Sequence, residues 1–104
     1  MKNDIAKITK KFVKNVSDSG IEIHQAFLFG SHASGKAKPE SDIDICVVSP
    51  DFGKDFIKET VRLSKLTWNV DSRIEPIPLE PDRMKDPFDP LAQEIKKYGI
   101  SLIS

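Results

Sequence analysis

The spacing of apolar residues predicts that helices alternate with short strands along the chain. Between residues 5 and 16 an apolar side chain recurs every three or four positions, with lysines between. This period is typical of an amphipathic helix, here capped by Asn3 or Asp4 and ended at Gly20. The apolar residues from 21 to 29 then predict a strand that is half exposed at its start and buried at its end.

A second strand is predicted for residues 42–48. Because side chains alternate along a strand, one face receives Asp42, Asp44 and Cys46, and the other receives Ile43, Ile45 and Val47. The residues between the two strands, 30–41, form a turn-rich connection with room for one helical turn at 32–34. Pro39 prevents a longer regular helix there.

The second half of the chain predicts a helix, a strand and a further helix. The helix covers residues 55–66. Its period places five residues near one side: Phe56, Ile57, Thr60, Val61 and Ser64. Residues 70–79 are extended, and Pro76 and Pro78 favour the edge of a sheet. Trp68, between these two elements, is expected to pack against the core.

The last part of the chain is predicted as a loop over residues 81–90 followed by a helix to Tyr98. Asp89 is the expected N-cap of this helix and Gly99 its stop. Residues 100–104 can add a short strand. The order of elements predicts an α/β fold in one domain, residues 1–104, with a small mixed sheet flanked by helices.

Composition excludes several classes of protein. The 104 residues contain 16 Lys plus Arg and 16 Asp plus Glu, so no net charge favours direct binding of nucleic acid or of an acidic membrane. The single cysteine, Cys46, excludes an internal disulfide and is expected to be a packed core thiol. No apolar stretch reaches the ~18 residues of a membrane span, and we expect a cytoplasmic domain without a leader peptide.

The connection after the first strand comes close to a phosphate-binding P-loop but departs from it. Gly30, four residues, Gly35 and Lys36 fit the first part of that motif. Ala37 stands where the motif needs Ser or Thr, and Pro39 interrupts the helix that should follow. We therefore do not interpret the segment as a P-loop.

The same glycine and the later acids fit a different nucleotide site. Gly30 and Ser31 follow a buried strand, where a glycine lets backbone amides approach an anion. Asp42 and Asp44 share one strand face, and their mutual repulsion is relieved by a cation between them. Oxygen ligands of this kind suit Mg²⁺. The pattern predicts a site for a metal-bound nucleoside triphosphate.

These residues resemble the signature of the minimal nucleotidyltransferases of the polymerase-β superfamily. Gly30-Ser31, ten intervening residues and Asp42-Ile43-Asp44 match it, as do Ala33, Gly35 and Ser41. The resemblance implies the polymerase-β-like fold, with Gly30 and Ser31 on the β- and γ-phosphates of ATP, Ser41 beside the nucleotide, and Asp42 and Asp44 as Mg²⁺ ligands.

The resemblance also implies a third carboxylate from the neighbouring strand, which completes the metal site and helps deprotonate the attacking hydroxyl. Glu75 and Asp71 are both candidates, because period two places them on one face with Arg73 between. We favour Glu75, which lies inside the apolar run of residues 73–77, whereas Asp71 suits a turn or a cap.

One departure from the family concerns the turn. Many relatives carry an arginine there, where this chain has His32 and Ser34. If that arginine braces the triphosphate, Lys36 or Lys38 must replace it.

The function implied by the resemblance is transfer of a nucleotide, AMP from Mg-ATP, to a hydroxyl acceptor. Short members of this family resemble antitoxins that pair with an all-helical HEPN-domain ribonuclease, so a HEPN-domain protein is the expected partner and acceptor. A second copy of the chain, giving a homodimer, is the other way to present an acceptor. Two alternatives stay open: a non-catalytic antitoxin that binds by its surface, and a subunit that modifies small molecules of the aminoglycoside type.

Overall fold

The computed structural model describes residues 2–103. Its nine elements, in chain order, are α1 (Asn3–Asp18), β1 (Gln25–Phe29), α2 (Ser31–Ser34), β2 (Ile43–Val48), α3 (Phe56–Lys65), β3 (Ile74–Leu79), α4 (Pro81–Lys85), α5 (Pro90–Tyr98) and β4 (Ile100–Ser101). The alternation of helices and strands predicted from the sequence is confirmed. Ser104, the last residue of the predicted C-terminal strand, and Met1 lie outside the described residues.

The four strands form one mixed sheet in the order β3-β2-β1-β4. β1 is antiparallel to both β2 and β4, whereas β2 and β3 are parallel and are joined through α3, as a parallel pair requires. β3 is an edge strand, as Pro76 and Pro78 predicted, since proline has no N–H to donate to a further strand.

The side-chain alternation of β2 divides the core into two layers. Ile43, Ile45 and Val47 face the layer that contains α1 and α3, where Phe12 and Leu63 are fully buried. The opposite face packs against α4 and α5 through a second cluster, made of Phe29, Cys46, Val48, Leu79, Met84, Ala92 and Ile95. The small mixed sheet flanked by helices is therefore confirmed, with helices on both of its faces.

Several predicted boundaries are wrong. β1 begins at Gln25 rather than at residue 21, and β3 begins at Ile74 rather than at residue 70. The residue at the N-cap position of α1 is Lys2, which forms no side-chain cap, rather than Asn3 or Asp4. The segment predicted as a loop over residues 81–90 contains α4, which begins at Pro81. The backbone N–H at the first helical position has no partner within the helix, so a proline there removes no hydrogen bond.

The interpretation of α3 also needs correction. Leu63 anchors this helix to the sheet, while Phe56, Ile57 and Val61 are exposed. Trp68, expected to be buried, is 80% exposed. The apolar residues grouped along α3 in the sequence therefore face solvent.

Within residues 2–103, none of the helices combines the length and apolar character that a membrane crossing requires.

Candidate active site

Asp44 lies near the start of β2, on the sheet face that α4 and α5 cover, and Asp42 immediately precedes the strand. In the register of the sheet, Asp44 is opposite Phe29 of β1 and opposite Glu75 of β3. Neighbouring strands are separated by about 4.8 Å, and period two turns Asp42 to the same face as Asp44. The fold therefore brings Asp42, Asp44 and Glu75 to one end of one sheet face.

The proximity of these carboxyl groups changes the protonation of Asp44. Partial burial, followed by the charges of Glu75 and Asp42, raises the pKa of Asp44 from 3.8 to about 6. A hydrogen bond between the Asp44 and Glu75 carboxyl groups and the more distant charge of Glu94 act in the same direction. Negative charge is in excess at this point, which is the condition that a bound cation relieves.

Asp71, the alternative third acid, is engaged elsewhere. Its Oδ1 accepts hydrogen bonds from the backbone N–H of Arg73 at 2.8 Å and from Arg73 Nε at 3.0 Å, and its Oδ2 accepts one from Nη2 at 2.9 Å. The hydrogen bond from the Arg73 side chain is the main reason that the pKa of Asp71 lies below its usual range. Arg73 Nη1 also donates to the carbonyl of Pro39 at 3.0 Å, so this pair fastens the turn to the start of β3.

The turn after β1 lies directly against Asp44. Gly30 has a positive φ of 71° and its carbonyl accepts from the backbone N–H groups of Ala33 and Ser34, both at 3.1 Å, in the single turn of α2. A Cβ on Gly30 would collide with Oδ2 of Asp44. A glycine is therefore required both by the backbone conformation and by the acid packed against it.

Ser41 and Lys36 stabilise the loop between α2 and β2. The hydroxyl of Ser41 accepts from the Lys38 N–H at 2.8 Å, and the Ser41 N–H donates to the Lys38 carbonyl at 3.0 Å. The Lys36 N–H donates to the Ser31 carbonyl at 3.0 Å, which ends α2, and its side chain is exposed. In this arrangement, the Ser41 hydroxyl shapes the loop, and the Lys36 ammonium is free of the core.

The residues around Asp44 fit a hard divalent cation by donor type. All of the candidate ligands are carboxylate oxygens, which Mg²⁺ prefers, and burial together with the charges of Glu75 and Asp42 raises the pKa of Asp44. Across residues 2–103, no three His, Cys, Asp or Glu side chains are grouped closely enough to form a ready-made metal centre. The acids would have to adjust when a metal-bound substrate enters.

Two further observations were not predicted from the sequence. Glu94 lies on α5, which covers this face of the sheet, and its negative charge acts on Asp44. In the sequence, only the helical period that buries Ala92 and Ile95 indicates which way Glu94 faces.

A cavity of about 430 Å³ is lined by His32, Lys38 and Arg73 among others, but by neither Asp42 nor Asp44. His32 lines this cavity rather than the cluster of acids.

Cys46 follows the two acids on β2 and has no part in their chemistry. It is fully buried, and burial raises the pKa of its thiol to about 12. The predicted core thiol is confirmed.

Comparison with known proteins adds the family to this geometry. Residues 5–102 match the family described as the nucleotidyltransferase domain. A protein of Haemophilus influenzae called "Probable protein adenylyltransferase MntA" is 32% identical over 72 residues, which make up 65% of this chain and 63% of that protein. The chain therefore matches less than two thirds of the length of this curated relative.

Solved structures share the fold. The chain is similar to a crystal structure of a toxin–antitoxin complex with AMP-PNP, with a TM-score of 0.70 and 25% identity over 92% of this chain and 73% of the other. It is also similar in fold to a protein from Sulfolobus solfataricus classed as a nucleotidyltransferase, with a TM-score of 0.71 and 20% identity over 93% of this chain and 78% of the other. Because the family match extends over nearly the whole chain, the chain belongs to the nucleotidyltransferase domain family.

Proposed function

We propose that this domain transfers AMP from Mg-ATP to a hydroxyl group on a partner protein. The observation that carries the proposal is that the turn at Gly30 and the acids Asp44 and Glu75 lie side by side. The register of the sheet puts Asp44 beside Glu75, and the positive φ of Gly30 brings the turn after β1 against Asp44. A turn that can hold phosphate and a set of acids that can hold a metal meet at one point.

Each part of the site has a role in this reaction. Gly30, Ser31 and the loop residues Ser41 and Lys36 would hold the triphosphate by backbone and side-chain donors. Asp42, Asp44 and Glu75 would hold Mg²⁺, which supplies positive charge to the triphosphate and to the leaving pyrophosphate. These assignments rest on the matching motif and on the positions of the residues in the fold.

In the transfer step, the acceptor oxygen forms a bond to the α-phosphorus of ATP. The bond between that phosphorus and the oxygen bridging to the β-phosphorus breaks, and pyrophosphate leaves with the electron pair. Glu75 would accept the proton of the acceptor hydroxyl, since it adjoins Asp44 at the open end of the face and is itself exposed.

A HEPN-domain protein is the proposed acceptor and partner. Two comparisons support a protein acceptor and an adenine nucleotide: the relative from Haemophilus influenzae is called a probable protein adenylyltransferase, and the similar toxin–antitoxin structure contains AMP-PNP. The small-molecule acceptor weighed above receives no support from either.

The test compares Glu75→Gln with Asp71→Asn in one assay. ATP labelled at its α-phosphate is incubated with Mg²⁺, the domain and a HEPN-domain protein, and label on that protein is counted. Glu75→Gln should reduce the transfer rate by about a hundredfold or more, the usual contribution of a general base. Asp71→Asn, which alters a nearby carboxylate outside the cluster, is the matched control and should change the rate much less.

Two outcomes would contradict these assignments. A severe loss in Asp71→Asn with little effect of Glu75→Gln would show that Asp71 is the third acid. If the domain inhibits the partner but no label appears on it, the result would favour the alternative in which the chain is a non-catalytic binding module. One observation supports this alternative: His32 and Ser34 stand in the turn where many relatives carry an arginine.

A further inference from the structure

The outer surface of α3 carries apolar side chains that the fold leaves in solvent. Ile57 is 75% exposed and Val61 is 48% exposed, while Leu63 is fully buried and holds the helix against the sheet. Phe56, at the first position of α3, is 54% exposed, and Trp68, just beyond its end, is 80% exposed. We call these four exposed residues, Phe56, Ile57, Val61 and Trp68, the α3 patch.

Two residues of the patch form a row along the helix. Ile57 and Val61 are four residues apart, so they lie on adjacent turns of one helix face. Beyond the helix the chain continues to turn, since the Thr67 N–H donates to the Ser64 carbonyl at 3.1 Å and the Val70 N–H donates to the Thr67 carbonyl at 2.9 Å. Trp68 lies in this turn, three residues beyond the end of α3, and is the most exposed of the four.

The apolar area of the patch matches that of a complete protein interface. Aromatic side chains offer roughly 150–250 Å² each, so the exposed fractions of the four residues amount to on the order of 500 Å². An ordinary interface covers about 800 Å² on each partner, of which about 60% is apolar. The patch therefore supplies about the apolar surface that one such interface needs, in a domain where surface patches above a few hundred Å² are uncommon.

The charges beside the patch indicate the chemistry of its partner. Lys58, Arg62 and Lys65 lie along one flank of the row by helical period. Two acids lie near them, at the N-terminal end of α3: Asp55 accepts from the Lys58 N–H at 3.1 Å and lies 4.0 Å from Lys58 Nζ, and Glu59 accepts from three backbone N–H groups of residues 53–55. Three cations against two carboxylates leave this flank with a net positive charge.

We propose that the α3 patch docks a helical protein surface with an apolar ridge and a row of carboxylates along one side. A second copy of this chain is a poorer occupant, because two α3 helices packed antiparallel about a two-fold axis would bring their basic flanks together. The patch lies on the sheet face opposite Asp44 and Glu75, so docking here leaves the nucleotide site open. This interaction does not depend on the proposed transfer reaction.

Trp68 gives a direct measurement, since it is the only tryptophan of the chain. The probe is a synthetic helical peptide without aromatic residues, with leucines spaced four and three apart and glutamates along one flank. Its control has lysines in place of the glutamates. The glutamate peptide should shift Trp68 emission to shorter wavelength with saturation, more weakly at high salt, and the lysine peptide should bind at least about tenfold more weakly.

Variants decide whether the signal comes from the proposed surface. Ile57→Ser and Val61→Ser should each weaken the glutamate peptide about tenfold, as loss of a central contact does, with little change in folding because both residues are exposed. Phe88→Ser is the matched control, since Phe88 is exposed on the connection between α4 and α5, and it should bind normally. Lys58→Glu with Lys65→Glu should reverse the preference between the two peptides.

Three results would overturn the proposal. Equal binding of both peptides would remove the charge argument, and absence of binding at about 100 μM would remove the docking surface. Concentration-dependent dimers in sedimentation that Ile57→Ser dissociates would show that the occupant is a second copy. Bound ATP should leave peptide affinity unchanged, so failure of the transfer assay and failure of this test are separate results.

Discussion

Replacing Asp44 by asparagine tests the electrostatics of the site without requiring a partner or a substrate. The carboxyl of Asp44 is partly buried, and Glu75 and Asp42 lie near it. An asparagine has almost the same shape and its amide can donate a hydrogen bond to Glu75, as the protonated acid does. We therefore expect Asp44→Asn to stabilise the fold at neutral pH.

The magnitude follows from the pKa of Asp44. The pKa rises from 3.8 to about 6 on folding, and each unit corresponds to about 1.4 kcal/mol. The full effect is on the order of 3 kcal/mol, and because Asp44 is only partly buried and solvent screens its charge, we expect about 1–3 kcal/mol. The folded state binds this proton more tightly than the unfolded state, so wild-type stability falls as pH rises from about 4 to about 6 and is then level.

Urea denaturation of both proteins at pH 4 and pH 8, without metal, measures this difference. The gain in Asp44→Asn should be small at pH 4, where the folded wild type is protonated, and full at pH 8. Glu40→Gln is the control, because Glu40 is exposed in the loop before β2, and it should change the free energy of unfolding by less than about 0.5 kcal/mol. A variant less stable at pH 8, or a gain of the same size at both pH values, would refute the electrostatic account.

Three further predictions concern binding and stability. Mg²⁺ with ATP should raise the melting temperature, whereas ATP with a chelator should not, because binding to the folded state alone stabilises it; equal shifts would contradict a metal-bridged site. Asp89→Ala should lower the free energy of unfolding by about 1–3 kcal/mol in urea titrations, since Asp89 caps α5 and accepts from Arg83 Nε at 2.7 Å, and an unchanged midpoint would contradict that role. Gly30→Ala should cost about 1–3 kcal/mol by the same measurement, because of its positive φ and its contact with Asp44; a neutral result would show that the turn can move away.

The elements that the sequence predicted well are those in which local chemistry and tertiary packing agree. Asp89 was predicted as the N-cap of the last helix, and its carboxylate accepts from the Leu91 and Ala92 N–H groups. The apolar period of α1 is likewise buried against the sheet at Ile5, Phe12 and Val16. α3 was harder, because its apolar residues are distributed around the helix and only the sheet decides that Leu63 faces inward.

The two candidates for a third acid show what period two cannot decide alone. Asp71 and Glu75 share a face only if one strand contains both, and the structure begins β3 at Ile74. Asp71 lies before that strand, in a turn where its carboxylate accepts from the Arg73 N–H. Side-chain alternation along a strand does not predict this contact between residues two apart. The choice between the two acids thus depends on a strand boundary, which is a property of the whole fold.

The alternation of β2 places the candidate acids and the α3 patch on separate sides of the sheet. Ile43 and Ile45 must face α1 and α3 to be buried, so Asp42 and Asp44 are turned to the other face. A shift of β2 by one residue would turn the acids into the buried layer against α1 and α3, at a cost far larger than the repulsion between them. The hydrophobic core on one face therefore holds the carboxylates together on the other. For the same reason, a partner bound at the α3 patch would contact the layer that fixes this register without covering the acids themselves.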